Sequence, residues 1–321
     1  MFIEQAIRPN NNFGKYVIGA ICIIVASVIG QLPLIAAFAA ESIASGRAFP
    51  TSEDEMMTYL EPNLMLFFIL LPFAVTLLIV YLINKFLHRQ SLTTLTTSRT
   101  KIDWGRIMFA FGFWAAFSIL SIGIMYVVSP DDFVVNFKPV PFIILAAIAI
   151  LMIPLQTSAE EYIFRGYLMQ GFGVLTRNRW LPLVFTSVAF GMMHIANPEV
   201  EKMGYIILVY YIGTGLFLGI ITLMDEGLEL ALGFHAANNL VGALLVTSDW
   251  TAFQTHSVLK DISDPAAGYD VILPVVVIYP LLLLIFSRKY RWSGWKEKLT
   301  GNIESYADIV SEKADGEPDI Q

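Results

Sequence analysis

Long apolar runs separated by short polar connections extend through this chain from about residue 16 to residue 287. A helix needs about 20 residues to cross about 30 Å of hydrocarbon, so each run of that length predicts one membrane span. Eight spans are expected, near residues 16–40, 64–87, 106–128, 140–165, 180–198, 203–224, 227–247 and 271–287. The sequence shows no alternating pattern of barrel strands, and the predicted fold is therefore an all-α, polytopic transmembrane helical bundle of about eight spans.

Composition agrees with the membrane interpretation. Apolar residues make up 56% of the 321 positions and charged residues only 15%, far from the balance of a soluble domain. The single cysteine, Cys22, excludes an internal disulfide and a cysteine metal cluster. Membrane lipid is an expected partner, whereas nucleic acid is not.

Lysine and arginine are concentrated on alternate connections, and cytoplasmic loops carry an excess of these residues. The basic connections precede the first span and follow the second, fourth and eighth spans. Both termini are therefore predicted to be cytoplasmic. The connection at Asp225 and Glu226 has no basic residue, so the last two spans are placed by alternation alone.

Three charged residues at the end of the fourth apolar run are the first candidates for chemistry. Charges in a span cost about 2.5 to 3.5 kcal/mol each on insertion scales, which makes them a functional-site hypothesis. Glu161 and Arg165 are four residues apart and should form an ion pair on one helix face. Glu160 has Phe164 at the corresponding position, so it is the better candidate for a base near neutral pH. The alternative is that the three charged residues form a purely structural ion-pair cluster that holds helices together.

Two histidines lie in other apolar runs. His194 follows Phe190 by four residues, and His235 precedes Asn239 by four. Two donors on one helix face, as His235 and Asn239 would be, can stabilise an oxyanion, a contribution of about 3 to 4 kcal/mol. The alternative for both histidines is hydrogen bonding between packed helices.

These motifs together resemble those of the CPBP family of intramembrane glutamic endopeptidases, which includes type II CAAX prenyl proteases and bacterial Abi, or bacteriocin-processing, relatives. In chain order the motifs are Glu160-Glu161 with Arg165, Phe190 with His194, and His235 with Asn239. The resemblance covers about residues 140–247. It implies a hydrolase that cleaves a peptide bond with an activated water and without a covalent intermediate.

The resemblance also implies a role for each residue. The implied catalytic residues are Glu160, which activates the water, His194, which helps to bind it, and His235 and Asn239, which form the oxyanion site. The implied supporting residues are Glu161, Arg165 and Phe190. The implied substrate is a peptide or protein, near a prenylated C-terminus or in a small peptide precursor. The expected location is a bacterial plasma membrane.

The same residues also allow other interpretations. Glu160, His194 and His235 are also a plausible set of zinc ligands, although we expect no cofactor because no pattern that would orient zinc ligands is visible. Two further alternatives are a catalytically silent immunity-type scaffold and a proton-coupled transporter. Motifs of zinc, rhomboid-type serine and presenilin-type aspartyl membrane proteases are absent from the sequence.

The domain organisation follows from these assignments. Residues 1–298 are predicted to form a membrane domain with the catalytic core at about 140–247, and residues 299–321 an acidic, disordered cytoplasmic tail. One conflict remains, because straight spans would place Glu160 and His194 at different depths. Either the fourth helix extends past Arg165, to about Phe172, or the fifth helix is short or tilted.

Overall fold

The computed structural model describes residues 1–265 and 268–306. Within these ranges the α-helices are α1 (Phe13–Gly30), α2 (Leu32–Ser45), α3 (Glu53–Tyr59), α4 (Pro62–Leu82), α5 (Leu92–Thr96), α6 (Trp104–Val128), α7 (Pro139–Glu161), α8 (Met169–Thr176), α9 (Trp180–Met192), α10 (Pro198–Met203), α11 (Ile207–Asp225), α12 (Glu229–Leu245), α13 (Tyr269–Leu273), α14 (Tyr279–Tyr290) and α15 (Trp295–Thr300). π-Helical stretches are Ile83–Leu87, Tyr162–Leu168 and Pro274–Ile278, and 3₁₀ turns are Ile3–Ala6 and Pro130–Asp132. The predicted all-α class is confirmed.

Six helices of the described residues are long and apolar enough to cross a membrane, two fewer than the number of predicted spans. They are Phe13–Ser45, Pro62–Leu87, Trp104–Val128, Pro139–Thr176, Ile207–Asp225 and Val271–Tyr290. The predicted spans 180–198 and 227–247 are helices of only 13 and 17 residues, α9 and α12. α9 ends early because the chain turns at residues 193–197. α12 is shorter than predicted because Gly227 and Leu228 pair with the backbone of Thr97 and Thr96, and Val246–Thr247 forms a strand. The molecule is a multi-pass membrane protein.

α7 packs between α4 and α12, while α12 also packs on α6 and α9 packs on α11. Glycines allow the closest of these approaches. A Cβ at Gly215 in α11 would lie 2.6 Å from the Ser187 carbonyl oxygen in α9. A Cβ at Gly233 in α12 would lie 2.1 Å from the Ile107 carbonyl oxygen in α6. The elements that carry the candidate residues are therefore held in backbone-to-backbone contact.

Ion pairs gather the basic connections at one end of the bundle. Arg99 and Arg106 both bind the Asp225 carboxylate. Arg179 binds Glu4 at 2.6 Å and Glu297 at 3.3 Å, which joins the N-terminal segment to α15. The connection at Asp225, which has no basic residue of its own, is thus at the same end as the connections rich in arginine.

The first part of the predicted tail is packed against this end. Ile303 is buried, and its N–H donates to the Arg177 carbonyl oxygen at 2.9 Å. The Gly301 carbonyl oxygen accepts a hydrogen bond from the Arg179 N–H at 3.1 Å. The rest of the predicted tail, residues 307–321, lies outside the described residues.

Three short strands lie in the connections that follow α6 and α12. They are β1 (Phe133–Val135), β2 (Val246–Thr247) and β3 (Leu259–Asp261). The order is β1-β3-β2, with β3 antiparallel to β1 and parallel to β2. The sheet ties the connection after α6 to the connection after α12.

Candidate active site

The helix that carries both glutamates is longer than the predicted fourth span, and the fifth is shorter. α7, the π-helical stretch and α8 form one helix from Pro139 to Thr176, which passes Phe172, while α9 has only 13 residues. Both explanations of the depth conflict are therefore correct. As a result, the His194 ring packs against Phe190, whose ring also neighbours His235.

Glu161 and Arg165 form the predicted ion pair, with no exposed side-chain surface on either residue. Arg165 Nη1 donates to Glu161 Oε1 at 2.9 Å, and Nη2 donates to the Gly215 carbonyl oxygen at 3.2 Å. The guanidinium also lies 4.2 Å from the ring centre of Phe190. His235 Nδ1 approaches the same Glu161 oxygen at 2.7 Å. The Glu161 charge is therefore compensated on two sides.

Glu160 has a different environment, with 14% of its side chain exposed. Its Oε1 accepts a hydrogen bond from Gln156 Nε2 at 2.7 Å. Its Oε2 lies 3.4 Å from His235 Nε2 and has no hydrogen-bond donor within normal distance among the described residues. The two glutamates thus face the two nitrogens of one imidazole, but only Glu161 is held by a guanidinium.

This arrangement constrains the protons of His235. Because Glu161 is an acceptor when ionised, Nδ1 must carry the proton in their 2.7 Å hydrogen bond. A neutral imidazole then has a lone pair on Nε2, which would face the oxygen lone pairs of Glu160. One further proton, on either Nε2 or Glu160 Oε2, removes this repulsion. Glu160 and His235 are therefore placed to share and exchange a proton.

Asn239 reaches Glu160 only through a residue that the sequence motifs do not include. Asn239 Nδ2 donates to Gln156 Oε1 at 3.0 Å, and Gln156 in turn donates to Glu160. Asn238 Nδ2 donates to Asn239 Oδ1 at 3.1 Å. Gln156 precedes Glu160 by four residues, at the point where the apolar part of α7 ends, and this spacing could have identified it.

His194 and Phe190 form the wall of the site on the α9 side. Phe190 packs with its ring centre 4.9 Å from that of His194 and 5.9 Å from that of His235. The His194 ring stacks on Tyr211 at 4.2 Å, and its Nδ1 lies 2.9 Å from the Phe190 carbonyl oxygen. A carbonyl oxygen only accepts, so Nδ1 carries a proton, and Nε2 of the neutral ring is left as an acceptor.

Metal ligation was the open alternative for Glu160, His194 and His235. Over residues 1–265 and 268–306, no group of three or more His, Cys, Asp or Glu side chains is arranged to hold a metal ion. Proton transfer between the Glu160 carboxylate and the His235 imidazole is one chemistry that these contacts allow.

Comparison with known proteins agrees with the motifs. Residues 139–241 match the family model described as type II CAAX prenyl endopeptidase Rce1-like. The uncharacterized protein YyaK of Bacillus subtilis (strain 168) is 29% identical over 252 residues, which cover 76% of this chain and 83% of that protein. No solved structure matches. The resemblance inferred from the motifs is confirmed, since the region that carries them is similar to CAAX-protease-like membrane proteins.

Proposed function

We propose that this protein is an intramembrane glutamic endopeptidase, in which Glu160 activates the water that attacks a peptide bond. The observation that carries the proposal is the difference between the two adjacent glutamates. Arg165 holds Glu161 in a fully buried ion pair, whereas Glu160 Oε2 faces only His235 Nε2, at 3.4 Å. A carboxylate without a fixed cation, next to an imidazole, is suited to general acid–base catalysis.

In the proposed reaction, Glu160 accepts a proton from water while the hydroxide oxygen bonds to the peptide carbonyl carbon. His194 Nε2 accepts a hydrogen bond from the water and orients it. Negative charge develops on the carbonyl oxygen, where His235 and Asn239 donate hydrogen bonds. The carbon–nitrogen bond then breaks, and Glu160 returns its proton to the leaving amine. Glu161 and Arg165 hold the helix and the His235 ring in place.

The proposed substrate is a peptide at the membrane. The matching family model is described as a CAAX prenyl endopeptidase, so farnesylated peptides ending in Cys-a-a-X come first and small peptide precursors second. The proposed location is a bacterial plasma membrane with both termini cytoplasmic. The basic connections support this orientation, because Arg99, Arg106 and Arg179 all make ion pairs at one end of the bundle.

Cleavage of a quenched peptide library, half of it farnesylated, by purified protein in nanodiscs tests the proposal. The key variant is Glu160→Gln, which keeps the shape of the side chain but cannot act as the base. Its control is Glu201→Gln, on the exposed surface of α10. We expect the control to cleave like the wild type and Glu160→Gln to lose about 10²- to 10⁴-fold in rate.

Retained cleavage by a folded Glu160→Gln variant would refute the assigned base. If the wild type cleaves no peptide and Glu160→Gln still supports the biological function in cells, the silent scaffold is favoured. Uptake of a solute driven by a proton gradient in proteoliposomes would instead favour a transporter.

A further inference from the structure

A chain of hydrogen bonds leads from α6 through α12 to the Glu160 carboxylate. Its members, in order, are Trp114, Asn238, Asn239, Gln156 and Glu160, which we call the amide relay. The successive donor–acceptor distances are 3.1, 3.1, 3.0 and 2.7 Å. The amide relay joins the contact between α6 and α12 to an oxygen of the proposed base.

The two ends of the amide relay fix its direction. An indole N–H can only donate, and an ionised carboxylate can only accept. Because Trp114 donates to Asn238 Oδ1, the nitrogen of Asn238 must face Asn239. The same logic turns the nitrogen of Asn239 towards Gln156 and the nitrogen of Gln156 towards Glu160. The orientation of all three amides is therefore determined by chemistry, although oxygen and nitrogen of an amide are otherwise easily exchanged.

Gln156 is the member of the amide relay that contacts both functional groups. It is almost fully buried, donates to Glu160 Oε1 and accepts from Asn239 Nδ2. Its bond to Oε1 leaves Oε2 as the oxygen that faces His235. Its bond to Asn239 uses one of the two N–H groups of that amide, and the second N–H stays available to an oxygen of the substrate.

We propose that Gln156 is a positioning residue of the peptidase site, which aims the Glu160 carboxylate at His235 and orients the Asn239 amide towards the substrate oxygen. This inference rests on the proposed function. It assigns Gln156 no contact with the substrate. Groups that are already oriented need no rearrangement when charge develops in the transition state. A residue that orients them can therefore change the reaction rate without touching the substrate.

Kinetics of three variants test the positioning role. Gln156→Met removes both hydrogen bonds, Gln156→Glu keeps an acceptor for Asn239 but replaces the amide donor with a second carboxyl group beside Glu160, and Trp114→Phe opens the amide relay at its far end. The matched control is Gln31→Met, at an exposed position between α1 and α2. For Gln156→Met we expect kcat to fall about 10- to 100-fold with KM changed less than about 3-fold. Trp114→Phe should lower kcat less, because Gln156 still contacts Glu160.

The comparison between the two Gln156 variants separates its two tasks. A kcat as low in Gln156→Glu as in Gln156→Met would show that the bond to Glu160 matters most. A kcat clearly higher in Gln156→Glu would show that orientation of Asn239 matters more. A kcat within about 2-fold of the wild type in both variants, or a rise in KM that accounts for the whole loss, would overturn the proposal.

A second measurement requires no substrate. The indole N–H signal of Trp114 in a ¹⁵N NMR spectrum is identified by its loss in Trp114→Phe, among the six tryptophans of the chain. Because hydrogen bonds in a chain polarise one another, Gln156→Met should shift this signal upfield and leave the other five in place. An unmoved Trp114 signal would overturn the amide relay. If Gln156→Met shifts the Trp114 signal but the wild type cleaves no peptide, the amide relay is retained and the proposed peptidase activity is rejected.

Discussion

Replacement of Arg165 by methionine is expected to be among the most destabilising single changes in the bundle. The side chains of Arg165 and Glu161 are both fully buried, and methionine has a comparable length but no charge. The substitution would leave the Glu161 carboxylate with only His235 as a partner and the Gly215 carbonyl oxygen without its side-chain donor. It would also remove the guanidinium from the face of Phe190.

The expected loss in the free energy of unfolding is about 3 to 5 kcal/mol, the range found when one partner of a buried ion pair is removed. The exposed pair of Arg47 and Glu41, with 49% and 36% of their side chains accessible, provides the comparison. Glu41→Gln should cost about 1 kcal/mol or less, because solvent already screens that pair. Unfolding in mixed micelles with increasing SDS, followed by circular dichroism, measures both losses.

The double variant Glu161→Gln with Arg165→Met tests the cause. If the uncompensated carboxylate is responsible, the neutral glutamine should recover a large part of the loss while still accepting a hydrogen bond from His235. A double variant no more stable than Arg165→Met would refute this reasoning. So would a loss below about 1 kcal/mol in Arg165→Met itself, since that is the value for a solvent-screened pair.

Three further outcomes are expected. Cleavage should be unchanged after treatment with EDTA and dialysis, whereas a loss that zinc restores would contradict the metal-free mechanism. Gly215→Ala should destabilise the bundle, because its Cβ would lie 2.6 Å from the Ser187 carbonyl oxygen. The control Gly112→Ala, whose Cβ would have nothing within 4 Å, should be neutral or stabilising by about 0.5 to 1 kcal/mol. Equal melting temperatures of the two variants would argue against a close contact of α9 and α11. Burial lowers the pKa of His88 to about 4, so the stability that this neutral ring contributes is complete above its ordinary pKa of about 6.5 and is lost as the pH falls towards 4. The melting temperature of the wild type should therefore drop more between neutral pH and about pH 5 than that of His88→Gln, and equal drops would show that His88 is not the group responsible.

The sequence predicts the helical class and the position of most spans, because apolar length is a strong signal in a membrane. It overestimates α9 and α12, since apolar residues there continue into turns and buried contacts that a length criterion counts as helix. The ion pair of Glu161 with Arg165 could be predicted because a four-residue spacing on a helix has one geometric meaning.

The sequence does not predict which polar groups actually touch. His235 and Asn239 share a helix face as expected, yet their nitrogens are directed to different partners, Glu160 and Gln156. The four-residue spacing of Gln156 and Glu160 places both side chains on one face of α7, but it does not identify the residue that Gln156 binds. Its partner on α12 becomes visible only when α7 and α12 are packed together, so Gln156 was missed.

The π-helical stretch Tyr162–Leu168 sits within the continuous helix, directly after Glu161. A π-helical turn contains more residues than an α-helical turn, so the count of residues across this stretch sets how the upstream and downstream helix faces are rotated. Inserting one residue after Leu168 would rotate α8 by about 100° and turn Met169, which is fully buried, away from its neighbours. The number of residues in this segment is therefore as constrained as the identity of its buried Arg165, and natural or engineered variants should preserve that number.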